Sequence, residues 1–304
     1  MASKKLFLIG HPGAGKTCIT KAFFEGEDPK KLLGDLGAPE PTLGVEHYKS
    51  TWIDIDIGIL DSAGQEMEKF ITGDEIDKEM SFGGSDAIIY VFDIEYWIQN
   101  KNFVIDMLKK VIEVKNEYSP DAVIYAFCHK IDLIAIDIEN RAKIFDDVRS
   151  EIQEKLGIKI VFTSIDPRFI HSLFRSMQII LNDLSKRGNK LESFLKQLNL
   201  KEKQIALIML DNNYRIISEQ RTDEVSIDSV FNSVSFVQAV NRAFQKIDKT
   251  DYIVDSSIVS KNKHQILIKG YGNNDFGIKF VIFIGKNIPN DLINEVTKFI
   301  TSSS

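Results

Sequence analysis

The sequence predicts a doubly wound α/β sheet followed by a smaller α+β domain. Three observations carry this. Up to about residue 185, apolar runs alternate with amphipathic stretches. The first run ends in Gly10-His11-Pro12-Gly13-Ala14-Gly15-Lys16-Thr17, a phosphate-loop pattern complete at every fixed position. Beyond Lys186-Arg187-Gly188-Asn189 the order of strands and helices changes, and 304 residues exceed the usual size of one domain. The expected domains are therefore 1–186 and 187–304.

Each element has a local reason. Lys4-Lys5-Leu6-Phe7-Leu8-Ile9 is a short apolar run that reads as a buried strand, and residues 17–24 read as a helix. The glycines thus fall at a strand-to-helix turn. Residues 25–41 carry charges, three glycines and three prolines without a period, which predicts a long loop. Loops of that length in compact domains are often functional. Residues 45–50 read as an edge strand, and 53–60, 87–92, 123–127 and 160–163 as the other strands; helical spacing occupies 101–117, 139–156 and 169–185. In the second half the pattern gives a short helix (190–199), strands 204–210 and 214–219, a long helix (227–247), strands 252–259, 264–270 and 277–284, and a last helix (288–301). This is an α+β layout without parallel crossovers.

The bulk properties exclude several classes. A formal charge of −6 and a pI near 5.5 leave no basic stripe for nucleic acid. No apolar run reaches the ~18 residues of a membrane helix. Ala2 and the end Thr301-Ser302-Ser303-Ser304 carry no lipidation signal, so no direct membrane anchor is expected, and any membrane association would come through a partner. Cys18 and Cys128 are the two thiols, expected in the core of a cytoplasmic protein.

Chemistry begins at the phosphate loop. Gly10, Gly13 and Gly15 let backbone N–H groups wrap closely around phosphate, and the helix N-terminus adds its positive dipole end. Lys16 can reach the outer phosphates, and the Thr17 hydroxyl can ligate Mg²⁺. The second motif, Asp61-Ser62-Ala63-Gly64-Gln65, follows an isoleucine-rich strand and sets Asp61 at its carboxyl end, where open α/β sheets bind ligands. Asp61 can hold Mg²⁺ through water, the Gly64 N–H can touch a γ-phosphate, and Gln65 can orient an attacking water. The third motif is Cys128-His129-Lys130-Ile131-Asp132. Asp132 offers a bidentate acceptor to the paired N–H donors of guanine, which adenine lacks, and the Lys130 stem can cover the base. Thr163-Ser164-Ile165 could add backbone contacts to the base. Thr42 closes the long loop, where its hydroxyl can complete a Mg²⁺ shell only while γ-phosphate is present, making the loop a switch.

With these residues the chain resembles the Rag/Gtr GTPases of nutrient signalling. The likeness rests on Thr42-Leu43-Gly44-Val45-Glu46-His47, Ile88-Ile89-Tyr90-Val91-Phe92-Asp93, Ser119-Pro120-Asp121-Ala122, His129-Lys130-Ile131-Asp132 with His in the usual Asn place, and Phe162-Thr163-Ser164-Ile165. The second half, from Leu210-Asp211 to Ser218 before a long helix, resembles the roadblock domain those GTPases carry. The resemblance implies a P-loop GTPase sheet, Mg²⁺-dependent GTP and GDP binding, and hydrolysis with Gln65 as the catalytic residue. The nucleotide-binding set is then Gly10, His11, Pro12, Gly13, Ala14, Gly15, Lys16, Thr17, Cys18, Thr42, Gly64, His129, Lys130, Asp132, Ser164 and Ile165. Thr17, Thr42 and Asp61 would serve the metal. It further implies a homodimer or heterodimer through 187–304, nucleotide-dependent recruitment of effectors, and roadblock- or longin-type regulatory partners.

Two features depart from that pattern. The Thr42 segment looks like one of the family's two subtypes, while 74–90 looks closer to the other. Pro12 adds bulk where an incoming arginine finger would have to fit. The alternatives are a constitutively nucleotide-bound roadblock scaffold that scarcely hydrolyses, and an ATPase of the wider phosphate-loop group, against which Asp132 argues.

Overall fold

The computed structural model describes every residue except 1, 34–44, 63, 135–137, 199, 201–203, 223–224, 249–255, 260–263 and 303–304. The chain divides into two units, Met1–Ile180 and Leu181–Ser304, a few residues before the expected boundary.

The first unit is a six-stranded sheet in the order β2-β3-β1-β4-β5-β6. Its strands are β1 (Ala2–Ile9), β2 (Val45–Trp52), β3 (Ile55–Ser62), β4 (Ala87–Asp93), β5 (Val123–His129) and β6 (Lys159–Phe162). All neighbours are parallel except β2, which returns antiparallel on β3. The apolar runs that predict these strands are buried because helices cover both faces of such a sheet. All seven residues of β4 are buried, and Phe7 sits between the edges of Phe82 (5.1 Å) and Phe70 (6.5 Å). Register aligns the carboxyl ends: Leu8 pairs with Asp61, Ile9 with Tyr90, and Asp93 with His129.

Around the sheet lie α1 (Lys16–Thr20, continued by a π turn to Glu25), α2 (Pro29–Leu33), α3 (Met67–Thr72), α4 (Glu75–Phe82), α5 (Ile94–Tyr118), α6 (Ile138–Val148, extended by a π turn) and α7 (Ile170–Leu184). Several bounds differ from expectation. β3 starts at Ile55 because Ile53, with φ 49°, forms the β2–β3 turn. The long loop contains the short α2. α5 begins at Ile94, where the Asp93 side chain caps the Tyr96 N–H at 2.7 Å, and it kinks at Asn100.

The second unit is a five-stranded antiparallel sheet in the order β8-β7-β11-β10-β9. Its elements are α8 (Lys186–Gln197), β7 (Ile205–Leu210), β8 (Ile216–Gln220), α9 (Ile227–Asp248), β9 (Ser256–Val259), β10 (His264–Gly270), β11 (Phe280–Lys286) and α10 (Asn290–Thr301). Val230, Val234 and Val237 of α9 pack on Ile208, Leu210, Phe280, Ile282 and Ile268. The alternate residues Leu207, Met209, Val281 and Phe283 are equally buried on the other face. α8 and α10 join through stacked Phe194 and Phe299, 3.8 Å apart. Asn182 and Ser185 belong to this unit: Asn182 donates to Glu192 and to the Ile217 carbonyl, and Ser185 caps α8. Among the described residues no helix is long and apolar enough to cross a membrane.

Candidate functional site

The site forms where β1, β3, β4 and β5 end. Gly10 turns the chain out of β1 so close to β4 that a β-carbon there would lie 1.9 Å from the Val91 carbonyl oxygen. Only glycine allows that approach. The loop continues through His11, Pro12, Gly13 and Ala14 to Gly15, whose φ of 98° makes it the left-handed residue opening α1.

Lys16 is folded onto this loop. Its Nζ donates to the carbonyls of Gly10 (2.9 Å) and His11 (3.3 Å), and burial lowers its pKa to about 8 even though Asp61 pulls the other way. Asp61, fully buried, is pushed up to about 6 by desolvation, with the Thr17 hydroxyl and Lys16 opposing the shift. Neither of its carboxylate oxygens makes a hydrogen bond of good geometry. Such orphaned buried oxygens carry a free-energy cost that a cation would remove.

The Asp61 shift has a measurable sign. Its folded pKa exceeds the ordinary 3.8, so its stabilising contribution is complete below 3.8 and is lost as pH rises through 6. Asp61→Asn lacks this loss. Between pH 5 and 7, in EDTA and without nucleotide, the variant is expected to gain about 1 kcal/mol in unfolding free energy relative to the wild type. Parallel denaturation curves for the two proteins at both pH values would refute a carboxylate whose desolvation outweighs its neighbours Thr17 and Lys16.

Gly64 abuts the phosphate loop: a β-carbon on it would lie 2.5 Å from Pro12 Cα. Gln65 lies in the 3₁₀ turn Gly64–Glu66 that leads into α3. Thr42 lies outside the described residues.

The third motif ends β5. His129 is buried and accepts or donates at Nδ1 to the Thr163 hydroxyl (2.9 Å), while its ring edge fills the space that a β-carbon on Gly15 would take, 2.6 Å from Cδ2. Desolvation, followed by the Lys130 charge, drives its pKa down to about 3, so it is a neutral spacer between β5 and the phosphate loop. Lys130 adopts a left-handed φ of 57° and reaches Asp93 at 3.5 Å. Ser164 donates to Asp132 Oδ1 and accepts from the Asp166 N–H at 2.8 Å. Ile165 is buried beside them in sequence, Cys128 is buried and Cys18 half-buried.

The structure thus gathers the phosphate-loop residues, Asp61, Gly64, His129, Lys130, Asp132 and Ser164 at the carboxyl ends of the sheet's strands. Asp93 is the residue that motif reading leaves without a role. Its signal is an acid between an apolar strand and a helix start, the N-cap position.

The conserved region of the Gtr1/RagA G proteins matches residues 5–237, well over half of the chain. The chain belongs to the Gtr1/RagA G protein family. This Gtr1/RagA chain is 30% identical over 157 residues to the GTP-binding protein GTR1 of Saccharomyces cerevisiae, covering 50% of the chain and 46% of that relative. It is 29% identical over 154 residues to the Ras-related GTP-binding protein A of Dictyostelium discoideum, 50% of the chain and 48% of the relative. Ras-related protein RabJ of the same organism matches at 28% over 181 residues, 55% of the chain and 63% of its own length. The chain spans about half the length of the first two of these relatives.

Proposed function

We propose that this Gtr1/RagA member is a Mg²⁺-dependent GTP-binding switch that hydrolyses GTP slowly and pairs through its second unit. The observation that carries the reading is the convergence of a phosphate loop, an acid whose two buried oxygens lack a well-formed hydrogen bond, and an Asp held by Ser164 at the carboxyl ends of a mostly parallel sheet. Gly13, Ala14, Gly15 and Lys16 bind the phosphates, while Lys130 and Asp132 read the base. The donor set of Thr17 and Asp61 suits a hard divalent cation, and Thr42 would join them. When bound, Mg²⁺ supplies neutralisation of charge on the outer phosphates. Gly64 touches the γ-phosphate, and Gln65 orients the water.

The first arginine is Arg141, so residues 1–140 supply no arginine in cis. Intrinsic turnover is expected on the order of 10⁻⁴ to 10⁻³ per second, with Gln65→Leu slower still. A single-turnover assay checks this. A rate above about 1 per second without a partner would show that another residue supplies the charge. Tight GTP binding with no detectable turnover would assign the scaffold reading instead.

Pairing is supported by α9, where Phe236 is 39% exposed and Ala239 lies exposed beyond the stripe that packs on the sheet. The edge position of β9 supports it as well. The full chain is expected to be a dimer at tens of micromolar, residues 187–304 also dimeric, and residues 1–186 monomeric yet able to bind GTP. Light scattering on the three decides it, and a monomeric full chain removes the self-pairing reading. Effector recruitment to a membrane through such a partner belongs to the same proposal.

A further inference from the structure

The phosphate-loop histidine is engaged at both ring nitrogens. Nδ1 lies 2.7 Å from the Pro12 carbonyl oxygen, which can only accept, and Nε2 lies 3.3 Å from the Asp93 backbone nitrogen, which can only donate. One tautomer satisfies both contacts: Nδ1 carries the proton and donates to Pro12, and the Nε2 lone pair accepts from Asp93. The ring is buried and stacked on Tyr96, with centroids 3.9 Å apart and planes 18° from parallel. Asp93 is in turn fully employed. Its carboxylate caps α5 at Tyr96 N, pairs with Lys130 at 3.5 Å and stands 3.7 Å from His11 Nε2, beyond hydrogen-bond reach and farther than the backbone N–H at 3.3 Å.

We propose that His11 is a positioning residue, a neutral bridge that fixes the Pro12–Gly13 peptide of the phosphate loop against the N-terminus of α5, with Asp93 extending the bridge to Lys130. The planar trans peptide makes the consequence direct. Holding the Pro12 carbonyl toward His11 turns the Gly13 N–H to the opposite side, the side that lines the phosphate cradle. The Lys130 ammonium is held by the same acid, so phosphate and base ends of the site share one support. The assignment rests on the guanine-nucleotide reading for its effect on binding, but the hydrogen-bonding pattern itself does not.

Two measurements on the full chain separate these. In nucleotide-free protein with ¹⁵N-labelled histidine, the ring signal that disappears in His11→Phe is expected to show the Nδ1-protonated tautomer; an Nε2-protonated ring overturns the bridge. The second measurement is release of a fluorescent GDP analogue chased with excess GDP. His11→Phe keeps the ring on Tyr96 but lacks both nitrogens, and it is expected to release at least tenfold faster with a thermal midpoint close to wild type. His11→Gln offers one donor and one acceptor at similar reach and is expected to return within about threefold of wild type. Wild-type release from His11→Phe, or no rescue by His11→Gln, overturns the proposal. Should His11→Phe not fold, Asp93→Asn keeps the cap and the backbone donor while discharging the Lys130 pair; severalfold faster release is expected, and an unchanged rate overturns it. Failure of the wild type to bind the analogue sinks the guanine-nucleotide reading, and the tautomer still decides the bridge.

Discussion

Lys16→Ala is expected to weaken GTP and GDP binding by roughly 10²- to 10³-fold while the protein stays folded. The argument starts from the nucleotide-free geometry. The ammonium is buried, bonded only to the Gly10 and His11 carbonyls among its described partners, and desolvation has brought its pKa to about 8. Neutral carbonyls compensate a buried cation poorly. A phosphate oxygen replaces them with an ionic acceptor, and charge-assisted hydrogen bonds contribute about 1.5–3 kcal/mol each. One or two such bonds account for the expected loss. The fold survives because alanine also removes the desolvation cost of the charge and is a good helix former at the start of α1. Titration with a fluorescent nucleotide, beside a thermal melt of the same sample, checks both halves. Affinity within threefold of wild type would show that Lys16 does not face the phosphates.

The parts of the site legible in the sequence are those fixed by local backbone demands. The glycines announce the phosphate loop, and the apolar runs announce the strands that end beside it, so β1, β4 and β5 fall close to where they are expected. Less legible were elements whose signals conflict. Ile53 turns the β2–β3 hairpin in a left-handed conformation that β-branched residues avoid, so periodicity extends the strand two residues too far toward the N-terminus. α3 and α4 are two short helices broken at Gly73, too brief for a period to emerge, although Asp74 caps the Asp77 N–H. Tertiary roles were hidden altogether. Nothing in the string Cys128-His129-Lys130 says that the imidazole packs against Gly15, because that contact joins residues more than a hundred positions apart. The same holds for Asp93, which serves His11, Lys130 and α5 at once.

Asp132→Asn is expected to exchange guanine for xanthine nucleotides, lowering GTP affinity by about 10²- to 10³-fold and making XTP the better ligand. Guanine presents two adjacent donors, the ring N–H and the exocyclic amine, which a carboxylate accepts together. Xanthine has a carbonyl where guanine has the amine, so it matches an amide, which accepts at one atom and donates at the other. The second contact of Asp132 determines which way the amide points. Ser164 uses a lone pair for the Asp166 N–H and its proton for Asp132 Oδ1. An asparagine keeps that bond by placing its carbonyl oxygen at Oδ1, which presents its NH₂ where the second carboxylate oxygen was. Against guanine this sets donor against donor. The loss of a charge-assisted bond together with an unpaired donor amounts to about 3–4 kcal/mol, the source of the expected factor. Competition of GTP, XTP and ATP for a bound fluorescent nucleotide reads it directly. A variant that still prefers GTP would remove Asp132 from the base contact, and equal ATP affinity in the wild type would move the protein to the ATPase alternative.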